Sequence, residues 1–320
     1  MTVGKRRLGS TEIEITPVGL GCWQFCGSGF GRLYWNSPPQ DEVNNIVKSA
    51  LDGGINWFDT AEAYGSGKSE QALSTALVKA GKSNAEVVIA TKWLPVLRTA
   101  KNITRTVSKR QSFLSPFEID LYQIHFPGSF SSIETQMHAM ATLVKEGKIG
   151  SVGVSNYSAE QMRQAHAALE KHRLPLASNQ VRFNLLDRIV EKQGVLDTAN
   201  ELGITIIAYS PLAQGLLTGK FHKNPNSVKR LPFSRKRAAG RMLEKSRLLV
   251  VLLEEISSSY GCTPSEVALS WLINYAGDTV VAIPGASKAD HIIQNVNSMD
   301  LKLTDDEISK LDEMSMNINC

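Results

Sequence analysis

Cysteine is scarce in this chain of 320 residues. The four, Cys22, Cys26, Cys262 and Cys320, form no CxxC pair and have no histidine close in sequence. That argues against both a disulfide framework and a zinc site, and points to reduced thiols in a cytosol-like compartment. Long apolar runs are missing too. The longest strongly apolar stretch, Leu248–Leu253, falls far short of the ~20 residues that span a bilayer, so no membrane partner is expected. The opening MTVGKRRLGSTEIE has no apolar core of the secretory type, and a cytoplasmic location is expected, with a removed organellar transit peptide still compatible. Two nucleotide fingerprints fail. Gly27, Gly29 and Gly31 give GSGFG, but Arg32 breaks GxGxxG. The GSGKS at 65–69 resembles the end of a P-loop, yet the first glycine that a P-loop needs is Glu62. Internal repeats, low-complexity segments and linkers are also lacking, so one domain over 1–320 is expected.

What is present is alternation. Eight short β-branched or aromatic runs occur at Val18–Trp23, Ile55–Asp59, Val87–Lys92, Ile119–Phe126, Ser151–Ser155, Ser178–Phe183, Thr205–Tyr209 and Val280–Ile283. Several are apolar throughout, as strands buried on both faces are. Helical patterns lie between them at Asp41–Asp52, Ser69–Ala80, 101–114, 132–146, 159–171 and 189–202. After strand seven they resume near 245–259, 264–276, 288–298 and 305–315. Repeated βα units of this number predict an α/β fold, a (β/α)8 TIM barrel, with an N-terminal β-hairpin plugging its bottom. Net charge is only +4, but it is uneven. Lys220–Arg241 holds eight Lys or Arg and no acid, which reads as a long basic loop after strand 7. Phe233 is its only aromatic besides Phe221, so nucleic acid is not an expected partner.

Chemistry concentrates where strands end. Asp59 closes INWFD, Lys92 closes VVIATK and His125 closes IDLYQIH. Active sites of parallel barrels sit on that C-terminal rim, and adjacent strands are about 5 Å apart, so the three should face one pocket. Tyr64, five residues past Asp59, can fold over it. Taken singly, each has a blander reading as a cap, a solvated charge, a core histidine or a packing anchor; their joint place on consecutive strand ends carries the argument. A tyrosine, with its pKa of about 10, needs a cation to act as an acid at neutral pH. Lys92 would supply it, Asp59 would hold Lys92, and His125 would hydrogen-bond a reacting carbonyl oxygen.

At these residues the sequence resembles the aldo-keto reductase superfamily, from GLGCW at 19 to IPGAS at 283. The resemblance maps the family's Asp, Tyr, Lys, His tetrad onto Asp59, Tyr64, Lys92 and His125. It implies a barrel that reduces a small carbonyl substrate, an aldehyde or ketone, with NADP(H) bound extended. It implies that Ser155, Asn156 and Gln180 hold the nicotinamide carboxamide, and that Tyr209 stacks on its ring. Ser210, Leu212, Gly215 and Leu216 would follow the pyrophosphate, and Gly21 and Trp23 would edge the nicotinamide. After Ile283-Pro284, the cofactor's far end would meet Gly285, Ser287, Lys288, His291, Gln294 and Asn295. Many relatives have an Arg where this chain has Ser287, and Gln where it has His291. Neither Ser287 nor Lys288 offers a bidentate fork, but NADP(H) remains the expectation over NAD(H), with the basic loop at Lys229–Arg241 as a compensating contact. Trp23, Trp93 and Phe126 are the first choices for the substrate pocket, with Phe25, Phe30, Tyr34 and Trp35 as further aromatics. The same resemblance allows a second role, a cofactor-binding regulatory subunit of a channel with slow turnover. Oligomeric state and the particular substrate are not legible.

Overall fold

The structure is a computed structural model that describes residues 4–27, 37–231, 236, 240 and 242–318. Phe30, Tyr34 and Trp35, Cys320 and most of the basic run beyond Leu231 lie outside the described residues. Two short antiparallel strands come first, β1 (Arg6–Arg7) and β2 (Glu14–Ile15). Eight parallel strands follow in chain order: β3 (Leu20–Gly21), β4 (Trp57–Asp59), β5 (Val88–Trp93), β6 (Leu121–Ile124), β7 (Ser151–Ser155), β8 (Leu176–Arg182), β9 (Thr205–Tyr209) and β10 (Val280–Ala282). The sheet curls until its edges meet. Val18 bridges Ala282 and Gly21 bridges Gly285, with Gly19 N donating to Ala282 O at 2.8 Å. The expected (β/α)8 barrel is therefore what the chain forms. β7 and β9 match the expected runs, β5 is shifted by one residue and β8 starts two residues earlier, whereas β3, β4, β6 and β10 are shorter than their runs.

Between strands run α1 (Gln40–Asp52), α2 (Lys68–Lys79), α3 (Lys101–Leu114), α4 (Ile133–Lys145), α5 (Ala159–Glu170) and α6 (Val195–Leu202). After β9 come α7 (Arg247–Tyr260), α8 (Pro264–Tyr275), α9 (Ala289–Asp300) and α10 (Asp305–Ile318). Their ends follow local chemistry. Ser158 with Gln161, and Thr263 with Glu266, form reciprocal capping boxes, and Pro264 occupies a first-turn position that has no amide to satisfy. The single helix expected over 189–202 is broken. A short turn at Ile189–Lys192 precedes α6, with Gly194 at φ 68 between them. The segment after β9 also differs from a bare loop: helical turns cover Ala213–Thr218, Lys220–Lys223 and Pro225–Arg230.

Two apolar layers result. Leu8 and Ile15 from the hairpin join Trp57, Ala90, Leu121, Ala177, Ile207 and Val281 inside the barrel. The hairpin thus plugs the end opposite the strand termini. Gly9, at φ +57, lies so close to Ala177 O that a Cβ would stand 2.4 Å from it. The larger layer fills the space between strands and helices. Among the described residues, no helix is long and apolar enough to cross a membrane.

Candidate active site

Strand periodicity aims Asp59, Lys92 and Gln123 at the barrel axis, with Lys92 and Gln123 paired in register. Lys92 Nζ donates to Asp59 Oδ2 at 2.5 Å and to Thr60 O at 2.9 Å, and both side chains of the ion pair are buried. The same Nζ stands 3.5 Å from Tyr64 Oη and 5.0 Å from its ring centroid. Tyr64 arrives from the β4 loop, where its N–H donates to Ala61 O. The His125 ring meets the Tyr64 ring edge-on, centroids 5.8 Å apart. The three strand-end residues and Tyr64 therefore converge.

Burial dominates the electrostatics. It works against the Lys92 charge, but the Asp59 carboxylate and the Tyr64 oxygen outweigh it and hold the lysine above its usual range. Burial also pushes Tyr64 up, and the opposing pull of Lys92 does not cancel that push. The expected lowering by Lys92 is present but loses to desolvation. His125 is brought down to about 3, by burial and then by Lys92, so its ring is neutral at physiological pH. Its Nδ1 is buried without a partner.

These residues wall one cavity of about 570 Å³. Asp59, Tyr64 and His125 line it, with Trp23 and Phe126 beside them. Trp93 does not. One position past an inward-facing lysine, it points outward into the helix layer, where its indole N–H donates to Asn102 Oδ1 at 2.9 Å. Phe25 is also packed in that layer.

Next along the wall, Asn156, at φ 59, accepts from Tyr209 Oη at 3.0 Å and donates to Ser155 Oγ at 2.9 Å. Ser155 Oγ donates to Gln180 O at 2.8 Å. Gln180 lines the cavity, but its Nε2 turns inward to Asp59 Oδ1 at 2.8 Å. Ser210, Leu212 and Gly215 continue the lining, whereas the Leu216 side chain packs in the core.

At the far end lie Gly285, Ser287, His291, Gln294 and Asn295. Lys288 is not in the wall; it precedes the first turn of α9. Burial, then Lys220 and Lys288, lower the His291 pKa, which marks this end as cationic. Asn295 Nδ2 is buried without a partner, a donor suited to a ring nitrogen of a purine. Gly21 and Gly285 meet at the barrel seam; a Cβ on Gly285 would run into the Gln24 amide at 2.1 Å. An elongated dinucleotide fits this donor set.

Sequence reasoning missed Gln24, Lys220 and Arg182 in the wall and Gln123 beneath it. Gln123 could have been found, since it lies two positions before His125 on one strand face. Lys220 could not, because only the helical turns after β9 bring it back to the wall.

The GSGKS stretch forms no cradle. Gly65–Gly67 is a tight turn, with Gly65 so close to the Cys26 carbonyl that a Cβ would lie 1.9 Å away, and α2 starts at Lys68. Ser69 Oγ donates to Cys22 O at 2.7 Å. Glu70, in the first turn of α2, is buried against Arg110, 2.8 Å away, and accepts from Thr91 Oγ1 at 2.7 Å. Among the described residues, no three His, Cys, Asp or Glu could hold a metal ion.

Comparison with known proteins follows these residues. The model of the "Aldo/keto reductase family" matches residues 17–316. "Uncharacterized oxidoreductase Rv2298" of Mycobacterium tuberculosis is 39% identical over 302 residues, 91% of this chain and 86% of that protein. "Pyridoxal reductase, chloroplastic" of Arabidopsis thaliana is 31% identical over 317 residues, 94% and 83% of the two chains. A crystal structure of the thermostable aldo-keto reductase Tm1743 with the inhibitor epalrestat is similar at TM-score 0.78 and 30% identity, covering 97% of this chain and 99% of that one. The glycerol dehydrogenase AKR11B4 of Gluconobacter oxydans gives 0.84 and 28%, covering 98% and 95%.

Proposed function

The chain belongs to the aldo/keto reductase family, and from that premise we propose that it reduces an aldehyde or ketone to an alcohol with NADP(H), Tyr64 acting as general acid. The observation that carries the reading is Lys92 Nζ held by Asp59 and reaching Tyr64 Oη, with a neutral His125 against the same ring.

NADPH, when bound, supplies the hydride that the carbonyl carbon receives. The chain's own residues manage the oxygen. His125 Nε2–H donates to it and fixes its position. Tyr64 Oη delivers the proton. The Lys92 ammonium stabilises the phenolate left behind, and Asp59 keeps that ammonium charged and in place. Ser155, Asn156 and Gln180 would hold the nicotinamide amide, Tyr209 its ring, and Asn295 the adenine. Trp23 and Phe126 favour an apolar or aromatic substrate body.

The test is NADPH oxidation with a panel of aldehydes, ketones and sugars beside Tyr64→Phe. Pyridoxal belongs in the panel because a relative is named for its reduction. The variant should lose about 10²–10⁴-fold in kcat, the usual share of a general acid. Turnover that survives the substitution unchanged overturns the reading. For the cofactor, Lys220 at the cationic end is the discriminating residue. Lys220→Met should raise KM for NADPH more than for NADH, and equal changes would speak against a 2′-phosphate contact.

A further inference from the structure

The donors and acceptors beneath the cavity can be counted. Asp59 Oδ2 takes Lys92, and Oδ1 takes both Gln180 Nε2, at 2.8 Å, and Gln123 Nε2, at 3.2 Å. A carboxylate only accepts, so each glutamine must turn its nitrogen toward Asp59 whichever way the amides are otherwise drawn. Gln180 Nε2 also faces Gln123 Oε1 at 3.4 Å, so both of its hydrogens are directed inward. With its nitrogen turned inward, the Gln180 amide carries its Oε1 on the other side, and Gln180 lines the cavity. Gln123 is wholly buried and touches no cavity space itself. Room for it is made by Gly153, where a Cβ would stand 3.0 Å from Gln123 Cγ.

We propose that Gln123 is a positioning residue: its Nε2 fixes the Asp59 carboxylate opposite Lys92, and its Oε1, facing the second Gln180 hydrogen, reinforces the amide orientation that Asp59 imposes on Gln180. The hold on a nicotinamide carboxamide that the resemblance gives Gln180 then depends in part on Gln123 behind it. The proposal rests on the cofactor and the Asp59 role given above.

The test combines binding with turnover. Binding is read by quenching of tryptophan fluorescence with NADP⁺ and with its 3-acetylpyridine analogue, whose acetyl group has no N–H. The wild type should prefer the carboxamide by about tenfold, roughly one hydrogen bond. Gln123→Met, similar in length, frees one Gln180 hydrogen. The preference should shrink several-fold, and kcat should fall about tenfold with the carbonyl KM nearly unchanged. An unchanged preference together with unchanged kcat overturns the proposal.

Gln123→Glu gives an independent readout should the Met variant fail to fold. A protonated Glu can still donate to Asp59, whereas an ionised one repels it. Its turnover should therefore decline with rising pH where the wild type holds steady, and a parallel profile counts against the assignment. If no carbonyl is reduced by the wild type, the reductase reading fails by itself. The binding preference still decides the role of Gln123.

Discussion

Between pH 5 and pH 8 the His125 ring stays uncharged, because burial and then the Lys92 charge bring its pKa down to about 3. Tyr64 is held above its ordinary value, burial again leading. The rate of carbonyl reduction should consequently show no histidine limb across that interval. A pH series of kcat/KM checks this; a break near pH 6.5, at the ordinary histidine value, would mean a hydrated ring. At this scale the sequence was informative where chemistry and strand ends coincide, as for Asp59, Lys92 and His125. It misled at Trp93, where neighbours on a strand face opposite ways. Gln123 was within reach of the same periodicity, two positions before His125, but its amide orientation is not encoded by spacing. Asp59 is also a poor target for simple truncation. Removing one partner of a buried ion pair costs about 3–5 kcal/mol of stability, which would mix folding with chemistry.

Elements place these residues through buried polar joints as well as apolar packing. Thr91, next to Lys92 on β5 but facing outward, donates to Glu70 of α2, which pairs with Arg110 of α3. Burial raises the Glu70 pKa to about 7, with Arg110 and then Thr91 opposing the rise. The folded state thus binds a proton that the unfolded chain has released above about 4.5, the ordinary value for Glu. Stability from this group should be full below about 4.5 and be lost as pH rises through about 7. Thermal melts across that range should fall more steeply with pH in the wild type than in Glu70→Gln, and equal slopes would remove Glu70 from the account. A second element-scale test is Gly153→Ala. The new methyl would meet Ser178 Oγ at 2.4 Å and crowd Gln123, so a loss of about 1–3 kcal/mol is expected in denaturant melts. Strand and helix positions were legible from periodicity. The break at Gly194 and the turns after β9 were not, because tertiary packing and left-handed glycines decide them.

For the whole molecule, the barrel separates a chemical end from a structural end. Leu8, wholly buried inside the bottom of the barrel, belongs to the second. Leu8→Ala should lower stability by about 2–5 kcal/mol while leaving KM for cofactor and substrate within twofold. A matching loss of affinity would show that the plug and the rim communicate. The eightfold alternation made this architecture readable, and the hairpin was visible in the polar run before strand one.

The seam that joins Val18 to Ala282 has a further consequence, for synthesis. The two partners lie 264 residues apart (282 − 18), so the first barrel strand emerges from the ribosome long before its neighbour exists. At about 5–20 residues per second the delay is about 13–50 s. Throughout it, β3 presents an open edge, and Gly21 and Gly285 cannot yet share a wall. The part of the cavity wall that Gly21 and Gly285 share therefore forms only after the last strand is released, which makes the cavity a late product of barrel closure.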